Sequence, residues 1–141
     1  MNKRYALFIA IVLAAAILLA CSGGYTEVGG TQTSSIVNGT GTITKTIQKA
    51  NGSSTTEIDL ENTVLPGAQV SIDVTLEVGE GSYRAEFLDE DDNVVLTLEA
   101  KSGESASGSA VTTLNSFAKL RYKVTAAEAR QVKMVIELEA E

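Results

Sequence analysis

The chain has 141 residues, a formal net charge of −7, no histidine and one cysteine. Without histidine, Ser–His and Cys–His nucleophile systems and the usual imidazole ligands of zinc, copper and haem are excluded. The acidic charge argues against binding of nucleic acid, which needs a cationic surface, and against electrostatic docking on anionic lipids.

Residues 1–20 have the pattern of a bacterial export signal. Lys3 and Arg4 form a basic head, and sixteen apolar residues follow from Tyr5 to Ala20. A helix of this length covers about 24 Å, which is short of the roughly 30 Å hydrocarbon core of a bilayer. We therefore expect a cleaved lipoprotein signal peptide, with an ordinary secretory signal or an uncleaved anchor as the alternatives.

The sequence Leu18-Leu19-Ala20-Cys21 resembles the lipobox of bacterial lipoproteins. The resemblance implies that Cys21 carries a diacylglycerol on its sulfur, and that the signal is cut before it and the new amino group acylated. Two or three acyl chains would hold the protein stably on the membrane, because one chain alone gives only reversible binding. Cys21 would then be an attachment point, and removal of Lys3 and Arg4 would change the net charge from −7 to −9.

The resemblance also implies a location outside the cytoplasm, with a lipid anchor in the cell membrane or the outer membrane. Ser22 follows the cysteine. In hosts with an outer membrane, lipoproteins that lack aspartate at this position usually travel to that membrane.

Residues 22–35 are rich in glycine, serine and threonine and lack an apolar period, which is typical of a flexible tether. We therefore predict three regions: a signal peptide (1–20), a lipidated cysteine with its tether (21–35) and one folded domain (36–141).

Within the predicted domain, apolar and polar residues alternate, which indicates strands with one buried face. The clearest run is 68–78, and shorter runs are 82–88, 94–100, 118–124 and 132–139. The residues expected to face inward are Ala68, Val70, Ile72, Val74, Leu76, Val78, Tyr83, Ala85, Phe87, Val94, Leu96, Leu98, Ala118, Leu120, Tyr122, Val124, Val132, Met134, Ile136 and Leu138.

Turn residues predict three hairpins, at Asn51-Gly52, at Gly79-Glu80 and at the acidic loop 89–92. In each hairpin the apolar rows of the two strands coincide. The expected cross-strand pairs are Ile43–Leu60, Lys45–Ile58, Ile72–Phe87, Val74–Ala85, Phe87–Val94 and Ala85–Leu96.

Residues 105–113 predict a weaker strand at a sheet edge, and only residues 126–131 have a helical pattern, of one turn. About eight short strands with a single proline indicate an all-β, antiparallel β-sandwich of immunoglobulin-like or jelly-roll type. A closed barrel is the alternative. Residues 81–95 also resemble hairpins of immunoglobulin-like bacterial surface domains, which supports the sandwich and implies no activity.

Lys45 falls on the same predicted face as Ile43 and Ile47, where a buried ammonium would carry a large desolvation cost. We expect this strand to lie at a sheet edge, where Lys45 can reach water and oppose aggregation. The alternative is a register that differs by one residue.

The best metal candidate is the loop in which Asp89, Asp91 and Asn93 have the spacing that opens a calcium-binding loop. Val94 stands where that loop needs glycine, and Ala100 where it needs a bidentate glutamate. We therefore expect a solvated acidic turn, with a weak calcium site as the alternative.

Lys119, Arg121 and Lys123 form a basic stripe that could bind an anionic partner. We expect it instead to pair across strands, with Glu137 and Glu139 as its partners.

The remaining chemistry favours a non-catalytic protein without a cofactor, because the acidic residues fall mostly on outward positions or in loops. We predict an envelope lipoprotein whose sandwich binds another protein or is a structural component, with the oligomeric state left open. A glycan- or calcium-binding surface module is the alternative. Stacking on sugars needs exposed aromatic rings, and only Tyr25 and Phe117 are expected to be free in the mature chain, which has no tryptophan.

Overall fold

The computed structural model describes residues 24–141, so the predicted signal peptide and Cys21 lie outside the described residues. These 118 residues form seven strands and no helix: β1 (Thr26–Val28), β2 (Thr31–Val37), β3 (Thr40–Asp59), β4 (Gln69–Leu88), β5 (Val94–Lys101), β6 (Ser105–Thr113) and β7 (Lys119–Ala140). All strand pairs are antiparallel. The predicted all-β antiparallel fold is confirmed, and no described helix could span a bilayer.

Three long strands, β3, β4 and β7, bend near their middles and run through both layers of the sandwich. The ladders are irregular between Ala50 and Gly52 and between Glu80 and Ser82. At these points Gly52 and Gly81 have φ of 96° and 74°, which glycine adopts readily because it lacks a Cβ. An extra residue in one strand bends that strand, so the single sheet folds back on itself.

The first layer has the order β2–β3–β7–β4–β6 and the second has β3–β7–β4–β5, with β1 beside β3 at the bend. The bends close one end of the sandwich. The opposite end, called the open end below, contains turn 38–39, loops 60–68, 89–93 and 114–118, and the C-terminus. Thr26 pairs with Asn51, so the described chain begins at the bend.

The core lies between the layers and consists mainly of the inward residues that alternation predicts. At its centre the rings of Phe87 and Tyr122 stack with centroids 5.3 Å apart. Ala68 and Leu96 are only partly buried and Val94 is exposed, so the prediction is wrong for Val94. It is confirmed, with at most 5 % exposure, for Val70, Ile72, Val74, Leu76, Val78, Tyr83, Ala85, Phe87, Leu98, Ala118, Leu120, Tyr122, Val124, Val132, Met134, Ile136 and Leu138.

The hairpins predicted at Asn51-Gly52 and Gly79-Glu80 are wrong, because β3 and β4 continue through both sites. A two-residue hairpin of the expected type needs positive φ at both turn residues, and at the first site only Gly52 has it. The expected partners therefore lie on β7 instead. The observed pairs include Ile43–Ile136, Lys45–Met134, Ile58–Leu120, Ile72–Leu138 and Val74–Ile136.

The third hairpin exists, but its register differs by two residues from the predicted one. Phe87 pairs with Leu96 and Ala85 with Leu98, with an irregularity after Phe87. A shift of two residues keeps every side chain on its face of the sheet. Beyond the irregularity Val94 pairs with Leu88 rather than following the alternation of Leu96 and Leu98, and it is exposed.

Two further predictions are corrected by the backbone. Residues 126–131 form the bend of β7 rather than a helical turn, with positive φ at Glu128 and Gln131. Residues 26–28 and 31–35, which were predicted to be tether, belong to β1 and β2 along β3. β2 is exposed along nearly its whole length, so it needs no apolar period to pair with β3 through backbone hydrogen bonds. The predicted edge strand at 105–113 is confirmed, since β6 pairs with β4 alone among the described strands.

Candidate functional site

The open end carries most of the exposed large apolar side chains of the described residues. Phe117 is 67 % exposed and Leu65 is 78 % exposed, although both are hydrophobic. Within residues 24–141 only Val28, near the bend, lies elsewhere. Apolar side chains that gather at one end of a domain are typical of a binding surface. The members at the open end are Val37, Leu65, Val94, Val111 and Phe117.

The two loops that carry Leu65 and Phe117 are held together by backbone hydrogen bonds. The Gly67 N–H donates to the carbonyl of Asn115 at 3.2 Å. The side-chain oxygen of Asn115 accepts from the N–H groups of Phe117 and Lys119, both at 3.0 Å. The exposed side chains therefore stand on an ordered platform.

The loop 89–93 lies at the same end, and Asp89 organises it. The Asp89 carboxylate accepts from the N–H groups of Asn93 at 2.8 Å and Asp91 at 3.0 Å, and from the Asn93 amide at 3.1 Å. The hydrogen bond from the Asn93 backbone is the largest cause that lowers the pKa of Asp89, and the hydrogen bond from the Asn93 side chain lowers it further. These three calcium candidates thus meet in one turn, but residues 24–141 contain no group of three or more acidic or thiol side chains that could hold a metal ion.

The net charge of the described residues is concentrated at the open end. Twelve of the eighteen carboxylates lie nearer to its loops than to the bend, with three cations, Lys119, Arg121 and Lys123, giving −9. The other six carboxylates and six cations of residues 24–141 cancel. The carboxylates of the open end are Glu57, Asp59, Glu61, Asp73, Glu86, Asp89, Glu90, Asp91, Asp92, Glu137, Glu139 and Glu141.

Two of the three cations of the open end, Lys119 and Arg121, are already paired. Lys119 lies 3.2 Å and Arg121 3.4 Å from Glu57 on β3, and Arg121 also pairs with Asp92. Cross-strand ion pairing is therefore observed for Lys119 and Arg121 of the predicted stripe, whereas Lys123 forms no ion pair within residues 24–141 and the predicted partners Glu137 and Glu139 are wrong. They belong to the same strand, β7, as the stripe itself.

Several carboxylates of the open end are uncompensated instead. Glu137 lies opposite Asp73 on the neighbouring strand, and like charges in register repel. Together with Glu139 they line a groove of about 270 Å³ between β3, β7 and β4. These three side chains form no ion pair within residues 24–141.

A second polar cluster lies inside the sandwich beneath β1. The Lys45 ammonium is 3.3 Å from Glu27, and the Tyr25 hydroxyl donates to the same carboxylate at 2.8 Å. Lys45 does share the inward face of Ile43 and Ile47, as predicted. The predicted edge position is wrong, because β1 and β2 cover β3 and Glu27 supplies a partner.

The hydroxyls of Tyr83 and Tyr122 are also buried there, without a hydrogen-bond partner among the described residues. Burial raises the pKa of both phenols, and the neighbouring Tyr25 raises that of Tyr83 further. Both groups are therefore neutral hydrogen-bond donors at physiological pH. Sequence reasoning missed this cluster because Tyr25 and Glu27 lie in the segment assigned to the tether.

Comparison with family models and with curated protein sequences gives no match. Among solved structures, the chain is similar to a CBM22 xylan-binding domain from Paenibacillus barcinonensis, with 12 % identity, coverage of 83 % of this chain and 85 % of the other, and a TM-score of 0.41. A carbohydrate-binding module from a Cellvibrio mixtus lichenase gives 12 % identity, coverage of 81 % and 88 %, and a TM-score of 0.36. An oxalate oxidase gives 14 % identity, coverage of 82 % of this chain and 53 % of the other, and a TM-score of 0.44. At these values the similarities carry no argument about function, which depends on the side chains described above.

Proposed function

We propose that this protein is a lipid-anchored component of the bacterial cell envelope whose non-catalytic β-sandwich binds another protein through its open end. The observation that carries the proposal is the clustering of exposed apolar side chains, led by Leu65 and Phe117, on ordered loops of that end. Leaving such side chains in water is unfavourable, and a protein partner would bury them.

The position of the anchor supports this assignment. Only four residues separate Cys21 from Thr26, the first residue of β1, which pairs at the bend. A lipid on Cys21 would hold the bend towards the membrane. The open end would then lie about 25–35 Å further out, given the rise of the strands.

A binding role also agrees with the chemistry of the open end. Its carboxylates are exposed or engaged with backbone amides, cations and hydroxyls, and the chain has no histidine to act as a general base beside a nucleophile. These residues therefore favour a binding surface over a catalytic site.

Site-specific photocrosslinking in the native host tests the proposed surface. A photoreactive phenylalanine analogue at position 117 or 65 should give discrete crosslinked products that mass spectrometry identifies as one protein. The matched control is the same analogue at Val28, the exposed apolar residue near the bend. Equal products from position 28, or none from 65 and 117, would contradict the proposal.

The anchor is tested separately by Cys21→Ser. This variant should accumulate as the full-length precursor without lipid, whereas Ser22→Ala should be processed normally. Mass spectrometry of the membrane fraction measures both. An unmodified Cys21 in the native protein, or a mature start at another residue, would refute lipid anchoring.

Glycan binding is the second candidate, favoured by the exposed ring of Phe117. Sugar-binding surfaces commonly use such rings, but here one ring would have to suffice. Affinity electrophoresis against soluble xylan and β-glucan distinguishes the two functions. Retardation that is lost in Phe117→Ala and kept in Val28→Ala would favour a glycan over a protein partner.

A further inference from the structure

Resting on the proposed protein-binding function, we propose that the segment docking on the open end is cationic and amphipathic. It would be a stretch of another protein with lysine or arginine side chains on one face and apolar side chains on the other. The charge and the apolar surface of the open end together select this chemistry.

The apolar part of the recognition comes from the loop platform. Leu65 and Phe117 lie on two hydrogen-bonded loops, and Val94 begins β5 beside the third loop of the same end. These side chains would accept the apolar face of the segment. Burial of such anchors, surrounded by a polar rim, is the usual arrangement of a binding surface.

The charged part comes from carboxylates that flank these side chains. Glu61 lies in the loop of Leu65, and Glu90 and Asp91 lie in the loop before Val94; all three are exposed and outside the ion pairs of residues 24–141. The nearest cations, Lys119 and Arg121, are occupied by Glu57 and Asp92. The rim therefore presents negative charge that no ion pair within residues 24–141 neutralises and that a cationic partner would neutralise.

The same charge argues against other occupants. An anionic lipid surface or a nucleic acid would be repelled by the −9 of the open end. Two copies meeting through their open ends would bring two such surfaces together, which disfavours self-association there. Complementary charge also accelerates the encounter of a cationic segment with this end.

Fluorescence anisotropy of the full lipidated protein in phosphatidylcholine nanodiscs tests the proposal. The probe is a labelled amphipathic helical peptide of leucine and lysine, and the control peptide replaces every lysine by glutamate. At physiological ionic strength the lysine peptide should bind and the glutamate peptide should not. Vesicles of phosphatidylglycerol should show no affinity for the open end.

Variants separate specific docking from bulk charge. Glu90→Gln with Asp91→Asn should weaken binding about five- to tenfold, because two rim charges are lost. Glu99→Gln with Glu128→Gln changes the net charge equally but lies away from the open end, and it should leave the affinity within about twofold. Leu65→Ser with Phe117→Ser should weaken binding by at least about tenfold, with Val28→Ser as its matched control.

Equal weakening by both charge pairs would show attraction to net charge alone and would overturn the proposal. So would unchanged affinity after removal of Leu65 and Phe117, or equal binding of the glutamate peptide. If crosslinking at position 117 still identifies one partner while the lysine peptide fails, the proposed function stands and only the cationic chemistry is wrong. If both fail, the proposed function itself is wrong.

Discussion

The ammonium of Lys45 lies 3.3 Å from the carboxylate of Glu27, and this contact joins β1 to the inner face of β3. The Lys45 side chain is only 12 % exposed, so its charge is largely removed from water. The Tyr25 hydroxyl donates to the same carboxylate. The first described residues thus belong to the folded domain, because they supply the counter-ion of a cation that would otherwise be buried alone.

Lys45→Ile should lower the stability of the domain. It leaves the Glu27 carboxylate without its cation, and an uncompensated, partly buried charge costs about 1–3 kcal/mol. The double variant Lys45→Ile with Glu27→Leu should recover most of the loss, because no charge then remains in the interior. Urea denaturation of the wild type, both single variants and the double variant gives the coupling free energy between Lys45 and Glu27. A stabilised Lys45→Ile single variant would disprove this role of the pair.

Phe87→Ala should cost about 3–5 kcal/mol in the free energy of unfolding, since it empties a fully buried site and removes the ring that stacks on Tyr122. Phe117→Ala should change stability by less than about 0.5 kcal/mol, because that ring is exposed. Denaturant titration of both variants measures the difference. Similar losses in the two variants would mean that the assignment of core and surface is wrong.

Gly81→Ala should destabilise the bend much more than Gly103→Ala destabilises its turn. Both glycines have φ of 74°, so the cost of a left-handed backbone for alanine, about 1–2 kcal/mol, is shared. A Cβ at position 81 would lie 2.3 Å from the carbonyl oxygen of Glu128, whereas one at position 103 meets nothing within 4 Å. The difference between the two variants in the free energy of unfolding therefore reports the clash alone, and we expect about 1–3 kcal/mol. Thermal unfolding of both variants measures it. Equal melting temperatures would contradict the close approach of β4 and β7.

The Asp89 turn should lose its contribution to stability in acid, below the usual pKa range of an aspartate carboxyl. Backbone and side-chain hydrogen bonds from Asn93 depress the pKa of Asp89 in the folded state. A depressed folded-state pKa stabilises the protein at pH values above the unfolded pKa, and this contribution is lost as the pH falls through the folded pKa. An NMR titration of the side-chain carboxyl should give a midpoint below the usual range, and Asn93→Ala should raise it. A normal midpoint would mean that the turn is open in solution.

Calcium should not stabilise this turn, because its central carboxylate is occupied by three donors. Calorimetry in millimolar calcium should leave the melting temperature of the wild type unchanged. A rise that disappears in Asp89→Ala would instead support the calcium-binding alternative. Glu104→Ala, in another loop, is the matched control.

Alternation along the chain was sufficient to assign the faces of β4 and β7 and of most of β5. Residues 70–78 and 132–138 alternate so regularly that only one face can be buried, and this depends on local side-chain direction alone. The register error at 89–93 was of two residues, which leaves the faces of Ala85, Phe87, Leu96 and Leu98 unchanged and fails only at Val94, beyond the irregularity. The unusual position of Lys45 among isoleucines was also evident from its neighbours in the sequence.

Only the tertiary structure decided which strands pair and what completes each site. Asn51-Gly52 and Gly79-Glu80 have the residues of hairpin turns, but β7 pairs with both long strands and holds them extended through these points, so that they bend instead of reversing. Glu27 lies 18 residues from Lys45 in the sequence, and Leu65 lies 52 residues from Phe117. Such contacts depend on the sum of many weak pairings over the whole sheet, which no local pattern contains. The sequence by itself therefore determined the antiparallel β architecture and most of its buried faces, whereas β1 and β2, the bends, the covered lysine and the apolar, acidic open end followed from long-range packing.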